Sequence, residues 1–171
     1  MIKISLDLDG VCLEFDNYYN SVFGIPKSEK EITKNVYRVK NNKDFWLNQP
    51  ILNKPDFTPH CYCTARINSK SLIKKQLEIN KFPKANVYQI PGYFLSKASQ
   101  LRKSGATVHI DDSLRNFIDL NSNGIPCLLF DSPANKDWGP IGRITDLEYD
   151  QIEETYNLFM DTIFPNFKSL L

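Results

Sequence analysis

The sequence predicts an α/β fold, a doubly wound parallel sheet with a small helical cap inserted after the first strand. Three observations carry that expectation. Short apolar runs alternate with stretches of helical period along most of the chain. Strand and helix alternating at this spacing require crossover connections, so the strands run parallel. One long segment, residues 12–57, breaks the alternation directly after the first run and holds no convincing core strand.

The elements follow in order. Residues 2–8 (IKISLDL) read as a strand that ends at Gly10, and residues 60–63 (HCYC) as a second. Residues 68–81 place Leu72, Ile73, Gln76, Leu77 and Asn80 at helical spacing, with Asn68 or Ser69 available as a cap. A third strand is expected at 86–90 (NVYQI), a helix begun by Ser96 over 96–104, and a fourth strand at 106–110 (ATVHI). Residues 113–122 read as a helix closed by Asn123-Gly124, and 126–130 (PCLLF) as a fifth strand. An amphipathic terminal helix covers 148–163, and the turns fall at 52–59 and 131–142. Inside 12–57, two short helices are expected at 14–23 and 28–40, separated by Gly24 and Pro26. This insertion carries Phe15, Tyr18, Tyr19, Phe23, Tyr37, Phe45 and Trp46. They serve either as the core of a small cap or, for Phe15, Tyr18 or Trp46, as a surface on which a base stacks.

At 171 residues the chain suits one domain spanning 1–171, with the cap as an insertion within it. A formal net charge of +1 gives no overall reason to expect a nucleic-acid or membrane partner. The charge is uneven, however. Residues 66–103 hold nine Lys or Arg and one acid, whereas 104–161 hold three basic residues and eleven acids. That describes either two solvated faces or a basic stripe steering a phosphorylated substrate. Cys12, Cys61, Cys63 and Cys127 lack zinc-site spacing, and the last three fall in apolar runs, so they read as reduced thiols. With no membrane-length apolar stretch and no signal-peptide pattern at the start, the expected location is the cytoplasm.

Chemistry is expected where strands leave the core, because open α/β sheets bind ligands at their carboxyl ends. Asp7 and Asp9 end the first strand, Thr64 the second, and Asp111-Asp112 the fourth, while Lys97 opens the helix before that fourth strand. Four clustered carboxylates repel one another and call for a cation, and an oxygen-only set suits Mg²⁺. Asp7 can then attack phosphorus, and Asp9, two residues on, can move the proton. Lys97 and the Thr64 hydroxyl would hold the phosphoryl oxygens. His60 and His109 read as structural, and Arg143 and Trp138 as ties between the tail and the sheet.

These residues resemble the haloacid dehalogenase superfamily of aspartate-nucleophile phosphatases. ISLDLDGV resembles its first motif, HCYCT its second, Lys97 its third and VHIDDS the double-aspartate form of its fourth, all in the family's order. The resemblance covers roughly residues 1–11 and 58–131. It implies Asp7 and Asp9 as catalytic residues, Thr64, Ala65 and Lys97 as phosphate-binding residues, and Mg²⁺ held among Asp7, the backbone carbonyl of Asp9, and Asp111 or Asp112. Lys103 competes with Lys97 for the third motif. The chain looks most like the 5'(3')-deoxyribonucleotidase group, which implies a nucleoside monophosphate as substrate, with Phe15 and Trp46 against the base. Arg66, in Thr-Ala-Arg, departs from that group and is similar to polynucleotide 3'-phosphatases, which implies nucleic-acid ends as the alternative substrate. A fold that has lost turnover and only binds is the third reading.

Overall fold

The computed structural model describes residues 1–90, 92 and 95–170; the side chains of residues 29, 30, 32, 33, 36, 37 and 168–170 lie outside the description. Six parallel strands form one sheet in the order β3-β2-β1-β4-β5-β6. They are β1 (Ile4–Leu6), β2 (Cys61–Thr64), β3 (Asn86–Gln89), β4 (Val108–Asp111), β5 (Cys127–Phe130) and β6 (Arg143–Ile144). The doubly wound architecture is therefore the one expected. The chain winds outward from β1 to β3, returns to β4 beside β1, and winds outward again to β6. The winding reverses between β1 and β4, and the crevice of such a sheet opens at that reversal.

β1, β2, β4 and β5 are buried along their whole lengths, as strands covered on both faces must be. The crossover helices are α4 (Lys70–Ile79), α5 (Ala98–Ser104) and α6 (Leu114–Ser122). Serine hydroxyls start two of them: Ser69 accepts from Leu72 N–H, and Ser113 from Asn116 N–H. The terminal helix α7 (Tyr149–Thr162) packs Ile152 and Phe159 into the main core. No helix among the described residues is long and apolar enough to cross a membrane. All four cysteines are buried free thiols.

Three differences from expectation have local causes. β1 stops at Leu6, because Asp7, after donating its N–H to the Ile110 carbonyl (2.9 Å), leaves the ladder for a tight loop. β6 is an edge strand that the sequence does not announce, since two residues carry no detectable period. The insertion holds three helices, α1 (Asp16–Phe23), α2 (Glu29–Asn41) and α3 (Lys43–Leu47). Asn42 both ends α2 and starts α3, its side chain accepting from Phe45 N–H at 2.9 Å. The insertion has its own apolar cluster, Val39, Phe45 and Trp46 packed with Phe15, Tyr18, Tyr19 and Phe23. The Tyr37 side chain lies outside the described residues.

Candidate active site at the carboxyl ends of the central strands

The register builds the site. Leu6 of β1 pairs with Ile110 of β4 on one side and Tyr62 of β2 on the other. One step further along the chain, Asp7 and Asp111 emerge side by side, with Thr64 at the end of the adjoining strand. Lys97, immediately before α5, is 1% exposed, and its Nζ lies 2.7 Å from both Asp7 Oδ2 and Asp111 Oδ2. Burial alone would lower the lysine's pKa, but the charges of Asp111 and Asp7 outweigh it and hold the ammonium well above its ordinary value. Lys103 is exposed in the last turn of α5, away from this pair.

The two adjacent aspartates differ. Asp111 is fully buried and saturated. It accepts from Lys97, from Ser113 N–H (2.9 Å) and from both bonds of Asn116 Nδ2 (3.1 and 3.0 Å), and it meets His109 Nε2 at 3.1 Å. Burial would raise its pKa, yet Lys97 and then His109 hold it well below the usual range. Burial also lowers the His109 pKa, so the ring is neutral. Its Nε2–H then donates to the carboxylate, and its Nδ1 accepts from the Ser5 hydroxyl at 3.1 Å. His109 is thus structural, as expected; so is His60, whose ring bonds the Ser104 carbonyl.

The Asp112 side chain, by contrast, accepts no hydrogen bond among the described residues. Burial, then the charges of Asp111 and Asp7, push its carboxyl up to about 8. Burial pushes Asp7 up to about 7, with Lys97 opposing and Asp111 adding to the shift. Ligand atoms of Asp7, Asp111 and Asp112 all lie within 4.8 Å of one another. An oxygen-only set in which one carboxylate makes no ion pair among the described residues could hold a hard divalent cation such as Mg²⁺. Asp111 is also taken up by Ser113, Asn116 and His109, so Asp112 and Asp7 are the side chains that could hold such an ion. Gly10 guards this arrangement. Its φ is +77°, and a Cβ there would collide with the Asp112 carboxylate. From beneath, Asn135 Nδ2 donates to the Asp112 carbonyl at 2.8 Å, and Arg143 in turn binds the Asn135 side chain at 2.7 Å. Arg143 also donates to the Trp138 carbonyl, so both residues tie the tail to the sheet as expected.

Asp9 stands apart from this cluster. Arg66 Nε donates to its Oδ2 (2.8 Å) and Arg66 Nη2 to its Oδ1 (2.6 Å). Gln49, from the insertion, donates to the same Oδ1 at 2.7 Å. The Asp9 side chain contributes no ligand atom to the three-aspartate cluster, so its expected part in holding metal is limited to its backbone carbonyl. Thr64 is buried at its strand end, where its hydroxyl accepts from Arg66 N–H at 3.4 Å, and half-buried Ala65 follows it.

Two expected substrate contacts are corrected. Trp46 is 2% exposed, donates its indole N–H to the Val39 carbonyl at 2.8 Å and packs on Phe15 and Phe45. Its ring is core and presents no face to a base. Arg66 is 3% exposed, and its guanidinium is committed to Asp9, Gln49 and Gln76. It offers nothing to a nucleic-acid backbone. Phe15 remains half-buried beside the site loop. Sequence reasoning missed Gln49, Gln76, Asn116 and the part His109 plays; Ser113-x-x-Asn116 was the one local signal, a helix start beside the double aspartate. No family model, curated protein or solved structure matches the chain.

Proposed function

We propose that the protein is a phosphomonoesterase that works through an aspartyl-phosphate on Asp7 with a divalent cation, and that it acts on a small phosphomonoester of the nucleoside monophosphate class. One observation carries the reading: Asp7, Lys97 and the saturated Asp111 form a buried, charge-paired row at the sheet's winding reversal, with Thr64 at the end of the adjoining strand. A row of this kind is costly to bury for stability alone. Asp7 attacks phosphorus, and the leaving oxygen departs with a proton from Asp9. Water then attacks the phosphorus of the aspartyl-phosphate, giving its proton to Asp9 and releasing Asp7 and phosphate. Lys97 and the Thr64 hydroxyl hold the phosphoryl oxygens, with the Ala65 amide next in line. Asp7 and Asp112 would hold the cation, which supplies positive charge against the developing oxyanions.

The nucleotide preference is supported by the half-buried aromatic rings of Phe15 and Tyr18 in the insertion, the segment whose Gln49 bonds Asp9. The polynucleotide-end alternative loses its Arg66 contact, because that side chain is enclosed, and keeps only the basic stretch 66–103. A hydrolysis screen over nucleoside monophosphates, sugar phosphates, 3'-phosphorylated oligonucleotides and an aryl phosphate tests the proposal. Nucleotides are expected to be cleaved best. Absence of hydrolysis across the panel, with added Mg²⁺, would leave a binding module in its place.

A further inference from the structure

We infer that Arg66 is a positioning residue that sets the orientation of the Asp9 carboxylate, and that Gln49 and Trp46 make this hold depend on the insertion. The inference rests on the reading of Asp9 as the proton-transferring group.

Both Asp9 oxygens are bound by one guanidinium fork, which fixes the plane of the carboxylate as well as its place. The Arg66 side chain is 0% exposed and that of Asp9 26%, so the carboxylate reaches the cleft and the arginine does not. Arg66 therefore acts through Asp9 if it acts on the reaction at all. Its socket comes from three places. Gln76 of α4 accepts from Nη1, Gln49 accepts from Nη2 at 2.7 Å, and the guanidinium lies over the Trp46 ring at 5.0 Å. Gln76 also donates to Gln49 at 3.2 Å, which fixes how that amide is turned. Gln49 then spends its own N–H on Asp9. Two of the three socket residues belong to the insertion. A movement of that segment is thus transmitted to Asp9 twice, directly through Gln49 and indirectly through Arg66. This gives the arginine and the buried tryptophan a use other than touching substrate.

A turnover cycle with Arg66→Ala, Asp9→Asn and the double variant tests this on an alkyl phosphomonoester, whose leaving group needs a proton. Arg66→Ala is expected to lower kcat about a hundredfold, the scale of a misplaced reacting group, with KM within about threefold of wild type. In the Asp9→Asn background the same change should alter kcat less than about twofold, because the group it positions is already lost. Arg66→Lys should not rescue, since a point charge cannot hold both oxygens. Gln49→Ala, which leaves the buried charge pair in place, should lower kcat about fivefold in wild type and not at all beside Asp9→Asn; it serves as the second variant if Arg66→Ala fails to fold. Equal losses in both backgrounds, a raised KM with kcat kept, or full rescue by lysine would overturn the inference while leaving the proposed reaction standing. A wild-type protein without phosphatase activity would overturn both.

Discussion

The two regions that meet above Asp7 are stabilised by opposite means. Beneath it, the strand ends bury charge: Lys97 and Asp111 are almost wholly enclosed, and nearly every polar atom there has a named partner. Above it, residues 12–57 bury aromatic rings: Phe45 and Trp46 at 2% exposure, stacked or edge-on against Phe15, Tyr18 and Tyr19. Hydrogen-bonded charge is specific to the atom, so substitution below changes the chemistry. Apolar packing is specific to volume, so substitution above changes stability first. The regions touch by apolar packing of Ile67 and Leu72 on the cap's aromatic cluster and by hydrogen bonds through Asp9, Arg66 and Gln49, where both rules apply.

The largest expected effect breaks the lower region. Asp7→Asn should abolish turnover while thermal melts stay cooperative, because the amide retains the shape and cannot attack phosphorus. Wild-type turnover in this variant would remove the nucleophile assignment. Gly10→Ala comes next. It forces the Asp112 carboxylate aside and strains a left-handed backbone, so a loss of at least tenfold in kcat is expected, together with a higher Mg²⁺ requirement in titration.

Trp46→Ala separates the two regions. As a core truncation it should cost about 3–5 kcal/mol of stability in denaturant melts. Its effect on turnover should follow Asp9 rather than the base, falling alike on nucleotide and sugar phosphate substrates. A loss confined to nucleotides would restore Trp46 as a stacking surface.

A pH series sharpens the comparison. Asp7 and Asp112 are raised from 3.8 to about 7 and about 8, so between those values and the unfolded pKa the folded state binds more protons than the unfolded chain. Stability in chelator should therefore fall as pH rises from about 4 to about 8. Mg²⁺ should raise Tm more at pH 8 than at pH 5, where it competes with protons. Equal Mg²⁺ shifts at both pH values would count against the cation site. The smallest effect is at Lys103. Its replacement by Ala should leave kcat within about twofold, since it is exposed and away from Asp7.

The alternation of runs, the caps at Ser69 and Ser113, and the aspartates at strand ends were determined by the sequence itself, because each depends on neighbours a few residues away. Asp7 and Asp111 could be placed together from that pattern, since parallel strands of one sheet end on one side. Other features were decided only by tertiary structure. Arg66 and Asp9 are 57 residues apart, and Gln49 and Asp9 are 40 apart; no local period brings them into contact. Trp46 is an aromatic residue in an amphipathic segment, and its composition is the same whether the ring faces a ligand or the cap's own core. Only the arrival of Phe15, Phe45 and the Val39 carbonyl around it decides the matter. Asp111 and Asp112 are chemically identical neighbours, and it is the positions of Lys97, His109 and Asn116 that leave one saturated and the other without a side-chain hydrogen bond among the described residues. Burial and partner geometry are properties of the packed chain, and they set what each carboxylate can do.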